Sequence, residues 1–135
     1  QSLEVSQKLF EANPESAQAA RDMLISLERL AKLTGEQEGE ELQKEALDYQ
    51  VRSLELALQL HQNNQSSYHY GRTAAVSFYL TSQRAQVVGA MELANQCLGG
   101  CHAVLHGLVT SGINLDPGMA GLYEQLNAAV DSATL

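Results

Sequence analysis

The sequence predicts an all-α protein, and three observations lead to this prediction. The 135 residues include 21 Leu and 17 Ala but only 8 Val and 2 Ile, a balance that favours helices over sheets. Apolar residues recur at helical spacing, and no segment alternates convincingly enough to be a strand. The chain also matches itself after a shift of 51 residues, which is typical of stacked helical hairpins.

The first two helices are separated by Asn13-Pro14-Glu15. Apolar residues at near-helical spacing predict the first helix over residues 2–12. Proline is tolerated in a first turn and acids are favoured beside it, so the second helix is expected to start near Ser16. Its long apolar stripe ends near Gly35.

The third and fourth helices are separated by a polar break. An acidic, glycine-containing connector over residues 36–41 precedes a long third helix, whose broad apolar face extends to Leu60. The polar residues that follow offer Ser66 or Ser67 as a helix N-cap. The apolar pattern of residues 73–82 predicts the fourth helix. We expect that helix to end between residues 84 and 89.

The fifth and sixth helices are separated by glycine and proline signals. Residues 90–111 predict a long helix rich in small residues, which Gly112 ends. Asp116 and Pro117 then serve as the N-cap and first-turn residue of the final helix. That helix is lined by Leu122, Leu126 and Val130.

The internal repeat is the most informative feature of the sequence. A shift of 51 residues brings Ser2-Leu3-Glu4-Val5 onto Ser53-Leu54-Glu55-Leu56, with eight identities in the 25 positions from Ser2 to Ser26. A weaker third copy, at a shift of 44, aligns Ser53-Leu54 with Cys97-Leu98. Further identities at the shift of 51 are Leu9/Leu60, Asn13/Asn64, Ser16/Ser67, Arg21/Arg72 and Ser26/Ser77.

Two segments point to a family. Residues 45–55, with their pattern of Ala, apolar ring, small residue and Leu, resemble the second helix of a tetratricopeptide repeat. Residues 3–33 resemble bacterial tetratricopeptide arrays with extended helices. The resemblance covers residues 1–65 well and 66–112 loosely. It implies antiparallel hairpins stacked as a short right-handed superhelix, about six helices in one domain over 1–135, and a groove that binds a peptide or partner protein.

Charge and segment composition exclude several classes. Sixteen Asp and Glu against eight Lys and Arg leave a net charge of −8, which argues against binding a nucleic-acid backbone. The weakly charged stretch 85–115 is interrupted by Asn, Gln, His and Gly, so we do not expect it to span a membrane. Two cysteines and no visible secretory signal favour a reduced, cytoplasmic protein. We expect the chain to be a fragment of a longer protein.

The candidate partner-binding residues are two cations and three tyrosines. Arg21 and Arg72 are equivalent in the repeat and could both bind carboxylates, although an internal ion pair or a solvated position is the commoner role for such arginines. Tyrosine offers an apolar body with a polar tip, but the alternative for these tyrosines is ordinary surface. The tyrosines are Tyr68, Tyr70 and Tyr79.

A cysteine and histidine cluster gives an alternative hypothesis, a small helical metal-binding protein. Zinc accepts two thiolates and two imidazoles, and the candidates are Cys97, Cys101, His102 and His106. On one helix, however, His102 and His106 lie roughly 140° and 180° around the axis from Cys97, so thiols and imidazoles point to different sides. We therefore expect structural packing there and assign no metal.

No catalytic constellation or cofactor motif is recognisable, so we expect a scaffold and not an enzyme. No Lys or Arg follows Arg84 in the sequence. We expect this weakly charged end, residues 85–135, to pair with a second copy as a homodimer. A structural spacer within a longer repeat array, without a ligand of its own, is the remaining alternative.

Overall fold

The computed structural model describes residues 3–13 and 16–134, with side chains described through residue 130. Within these ranges every regular element is a helix, which confirms the all-α prediction and its six helices. The helices are α1 (Leu3–Ala12), α2 (Ala17–Gly35), α3 (Glu40–Asn63), α4 (Tyr68–Val87), α5 (Met91–Thr110) and α6 (Pro117–Thr134).

Each helix packs against its neighbours in the sequence. Among the described residues, the extensive helix–helix contacts are α1 on α2, α2 on α3, α3 on α4, α4 on α5 and α5 on α6. Helix α2 packs most extensively with α3, and α4 with α5, whereas fewer residues of α6 contact α5. This confirms an arrangement of adjacent helical pairs. The right-handed superhelix stays a prediction.

The turn between α1 and α2 resembles the turn between α3 and α4. Asn13 follows the end of α1 and Asn64 follows the end of α3, and the carbonyl of each accepts a hydrogen bond from the N–H of a serine three residues later. Those serines, Ser16 and Ser67, have similar extended backbone angles and cap α2 and α4. The two turns predicted to be equivalent therefore share this serine-to-asparagine hydrogen bond and the cap that follows it. The first repeat position, Ser2, lies outside the described residues.

Helix α4 begins five residues earlier than the sequence predicted. Ser67 rather than Ser66 is the N-cap, and Tyr68, His69 and Tyr70 form the first turn. The prediction missed this turn because it has no apolar stripe, while a good cap is enough to start a helix before one appears. The third copy also departs from the pattern, since six residues, 111–116, connect α5 to α6.

Two apolar clusters hold the helices together. The first, here called the N-terminal cluster, joins α2 and α3 through Ala20, Met23, Leu24, Leu27, Leu56, Ala57 and Leu60. The second, the C-terminal cluster, joins α4, α5 and α6 through Ala75, Cys101, Leu105, Leu108, Met119 and Leu126. Of the residues predicted to line α6, Leu126 is buried and Leu122 is half-buried, but Val130 is exposed.

Small residues allow close helix contact. The Oγ atoms of Ser6 on α1 and Ser26 on α2 lie 2.9 Å apart and are both buried. On α5, a Cβ added at Gly100 would lie 2.5 Å from the ring of Phe78 on α4. Within the described part of the chain, no helix combines the length and apolar character needed to cross a lipid bilayer.

Candidate binding groove

Helices α2 and α4 form a pocket of about 250 Å³ that contains three of the predicted partner-binding residues. Arg21 comes from α2, and Tyr70 and Arg72 come from the first turns of α4. Leu60 of α3, a member of the N-terminal cluster, also lines it. The repeat-equivalent arginines therefore meet at one pocket, here called the arginine pocket.

The two arginines have different partners. Arg72 donates from Nε to Asp116 Oδ1 at 3.0 Å. This is an internal ion pair, one of the two commoner roles that the sequence analysis gave for such an arginine. Arg21 donates from Nη2 to the neutral Gln18 Oε1 at 2.6 Å, and its buried Nε has no hydrogen-bond partner in the described structure. No described carboxylate forms an ion pair with Arg21. Its positive charge is therefore available to a ligand.

One acid faces the arginine pocket. Glu28, two turns after Arg21 on α2, is partly buried there. Burial raises the pKa of its carboxyl above the usual 4.5, and the nearby Ser53 hydroxyl offsets only part of this effect. With Arg21, Arg72 and His69 on the same lining, the pocket is rich in basic groups although the whole chain carries a charge of −8.

A second, apolar pocket of about 470 Å³ lies between α4 and α6. It is lined by Tyr79 of α4 and by six residues of α6, namely Pro117, Gly118, Met119, Gly121, Leu122 and Gln125. Val76 lines both this pocket and the arginine pocket, so the two are neighbours along α4. Together they form a surface of the even-numbered helices, here called the α2–α4–α6 face.

Tyr68 does not line either pocket. Its hydroxyl donates to Asp116 Oδ1 and accepts from the backbone N–H of Asp116 at 3.0 Å. Burial raises the pKa of Tyr68, and its hydrogen bond to the carboxylate acts in the same direction. The same hydrogen bond is the main reason that the pKa of Asp116 is lowered, with Arg72 adding to it. Tyr68 thus ties the start of α4 to the start of α6.

Sequence reasoning missed an apolar contributor to the arginine pocket. Ile25 lines it with 46% of its surface exposed, next to Leu24. Ile25 lies outside the apolar stripe of α2, and an isolated apolar residue beside a stripe carries no signal of its own. A detectable signal was its position four residues after Arg21, which places both side chains on one side of the helix.

The structure separates the thiols from the imidazoles, as the helical geometry predicted. Cys101 lies in the C-terminal cluster, where burial raises its pKa to about 11, and burial also raises the pKa of Cys97. The imidazoles face α6: His102 Nε2 lies 2.6 Å from Asn127 Oδ1, and His106 Nδ1 lies 2.7 Å from Tyr123 Oη. In the described residues, no group of three or more Cys, His, Asp or Glu side chains could hold a metal ion.

The region predicted to self-associate exposes several large apolar side chains. Val87 ends α4, Met91 begins α5, and Val109 and Val130 lie near the ends of α5 and α6. They are spread over three helices. Dimer formation through residues 85–135 stays a prediction.

Comparison with known proteins adds no relative. No family model matches the chain, and neither the curated proteins nor the solved structures include a match to it. The groove therefore has to be interpreted from its own chemistry.

Proposed function

We propose that this chain is a scaffold that binds a peptide segment of a partner protein along the α2–α4–α6 face. The observation that carries the proposal is the meeting of Arg21 and Arg72 at one pocket, beside Tyr70 and exposed apolar surface. The repeat supports it because two positions 51 residues apart supply the same charge to the same place. In this proposal the side chains of the α2–α4–α6 face bind the peptide, and no chemical reaction is involved.

The charge of the arginine pocket favours an acidic segment. A carboxylate that reaches Arg21 gains a charge-assisted hydrogen bond without displacing another carboxylate. Arg72 is shared with Asp116, so it contributes less to a ligand than Arg21 does. The surrounding negative charge of the chain repels acidic segments elsewhere and leaves this pocket as the favourable position.

The apolar part of the face favours a segment that also carries apolar side chains. Ile25 is exposed at the arginine pocket, and Val76 continues the apolar surface toward Tyr79. Tyrosine supplies contact area with a polar tip, and an apolar side chain of the ligand loses water when it packs there. We therefore infer a segment with an acidic residue beside apolar ones.

Selection from a random 12-residue peptide display library tests this proposal. We expect enriched peptides that combine Asp or Glu with apolar residues and bind at least tenfold more weakly to Arg21→Ala and to Ile25→Ala. Arg29→Ala is the matched control, because Arg29 is exposed on α2 and does not line the arginine pocket. Its affinity should change less than twofold.

Two results contradict the proposal. Enriched peptides that bind Arg21→Ala and Ile25→Ala as tightly as the natural chain would place the interaction on another surface. A selection that enriches no peptide would favour the alternative of a structural spacer. Circular dichroism of each variant, expected to match the natural chain, excludes misfolding as the cause of any loss.

A further inference from the structure

Helix α1 exposes two apolar side chains on one side. Val5 has 46% of its surface exposed and Leu9 has 43%, and residues four apart lie on the same side of a helix. Exposed Glu4 and Lys8 form an ion pair at 3.4 Å, so charged side chains border this apolar pair. Here it is called the outer side of α1.

The same two positions are buried in the next hairpin. A shift of 51 residues takes Val5 to Leu56 and Leu9 to Leu60, which are 6% and 4% exposed. Both leucines belong to the N-terminal cluster, where α2 covers them with Ala20, Met23, Leu24 and Leu27. The covering residues have the spacing i, i+3, i+4 and i+7 of an amphipathic helix.

Between Val5 and Leu9, one position of α1 is buried as its equivalent in α3 is. Ser6 is completely buried, as is Ala57, the residue 51 positions later. In the turns that follow the two helices, the N–H of Ser16 and of Ser67 each donates to the carbonyl of the asparagine three residues before it. Val5 and Leu9 therefore lie on the side of α1 that corresponds to the side of α3 covered by α2, and within the described residues α2 is the helix against which α1 packs extensively.

We propose that the outer side of α1 docks an amphipathic helix with the apolar spacing of α2, presented by a further hairpin of the same kind. The α2–α3 interface is the basis for this choice of occupant, because it shows which helix covers the equivalent leucine. This surface is separate from the α2–α4–α6 face. Its occupant extends the stack and leaves the arginine pocket open.

A chain with a duplicated hairpin tests this proposal. Residues 1–51 are added directly before residue 1 of the full chain, which places a second copy of α2 upstream of the original α1. The added residues 40–51 come from the first half of α3 and lengthen α1 to match it. We expect amide hydrogen exchange in the original α1 to slow at least tenfold and the urea midpoint of unfolding to rise.

Leu9→Glu in the original copy separates docking from helix lengthening. In the natural chain Leu9 is exposed, so this change should alter the urea midpoint little. In the duplicated chain it should abolish the tenfold slowing, because a charge would then face the copied α2. Leu33→Glu in the original α2, a substitution at another exposed leucine, should leave the slowing intact.

A chain extended by residues 40–51 alone is the second control. If it slows exchange as much as the full duplication, helix lengthening explains the effect and the proposal is wrong. The proposal also fails if Leu9→Glu does not reverse the slowing in the duplicated chain. A tenfold slowing that needs both the copied α2 and Leu9 supports it.

Discussion

Ser16 and Ser67, 51 residues apart in the sequence, cap two helices in the same way. The Oγ atom of each accepts a hydrogen bond from the backbone N–H three residues later, at 3.2 Å from Ala19 and 3.3 Å from Tyr70. Equivalent caps set the same start for α2 and α4. Residues of the two hairpins can therefore be compared position by position, which is the basis for relating Arg21 to Arg72 and Leu9 to Leu60.

Removal of either cap should destabilise the protein by a similar amount. Ser16→Ala and Ser67→Ala each leave a helical N–H without its side-chain partner, and such changes cost about 1 kcal/mol. Urea unfolding followed by circular dichroism measures this free energy. Ser66→Ala is the control, since Ser66 is exposed and precedes the cap. A loss at Ser66→Ala as large as that at Ser67→Ala would contradict the assigned cap.

Neighbouring glycines on α5 should respond oppositely to alanine. A Cβ at Gly100 would lie 2.5 Å from two ring atoms of Phe78, so Gly100→Ala forces the ring to move and should lower stability by about 1–2 kcal/mol. A Cβ at Gly99 meets nothing within 4 Å, and Gly99→Ala should raise stability by about 1 kcal/mol through helix propensity. Thermal unfolding of both variants gives the comparison. Equal shifts would show that Phe78 does not constrain this contact.

The buried amide of Gln50 should be replaceable by an apolar side chain. Gln50 is 1% exposed, and its Nε2 has no hydrogen-bond partner in the described structure. Because an unsatisfied buried donor costs free energy, Gln50→Leu should raise the free energy of unfolding by about 1 kcal/mol. Gln59→Leu is the control on the exposed side of α3 and should change it by less than about 0.5 kcal/mol. Strong destabilisation by Gln50→Leu would indicate that the amide has an essential partner.

Glu28 should make the protein less stable as pH rises. Its folded-state pKa is raised by burial, so the folded chain holds this proton more tightly than the unfolded chain does. The free energy of unfolding should therefore fall as pH rises from 4.5 through the folded-state pKa, and should stay lower above it. Glu28→Gln removes this fall, as urea titrations between pH 4 and 8 would reveal. Glu55→Gln, at an exposed position on α3, should keep the fall of the unfolding free energy with pH. If the natural chain and Glu28→Gln have the same dependence of this free energy on pH, the raised pKa of Glu28 is contradicted.

The sequence could predict the helices because their causes are local. Apolar spacing and a nearby proline predicted α2 and α6. Capping chemistry limited the N-cap of α4 to Ser66 or Ser67. The first turn of α4 was missed because Tyr68, His69 and Tyr70 have no apolar periodicity. The cap alone determines that turn.

The candidate site could be predicted only in part. The repeat related Arg21 to Arg72, and the structure brings both to one pocket. The partner of Tyr68 was not predictable, because Asp116 lies 48 residues away and outside the repeat. Which face of the stack opens into a groove depends on how the helices cross, and no single helix contains that information.

Packing between helices that follow each other in the sequence has a consequence for how this protein folds during its synthesis on the ribosome. Among the described residues, each extensive helix–helix contact joins a helix to the one before or after it, so most of the packing partners lie close along the chain. Proteins with such short contact separations fold quickly, and domains form from the N-terminal end as synthesis proceeds. Each new helix can dock as soon as it emerges, on a surface that its predecessor has already completed.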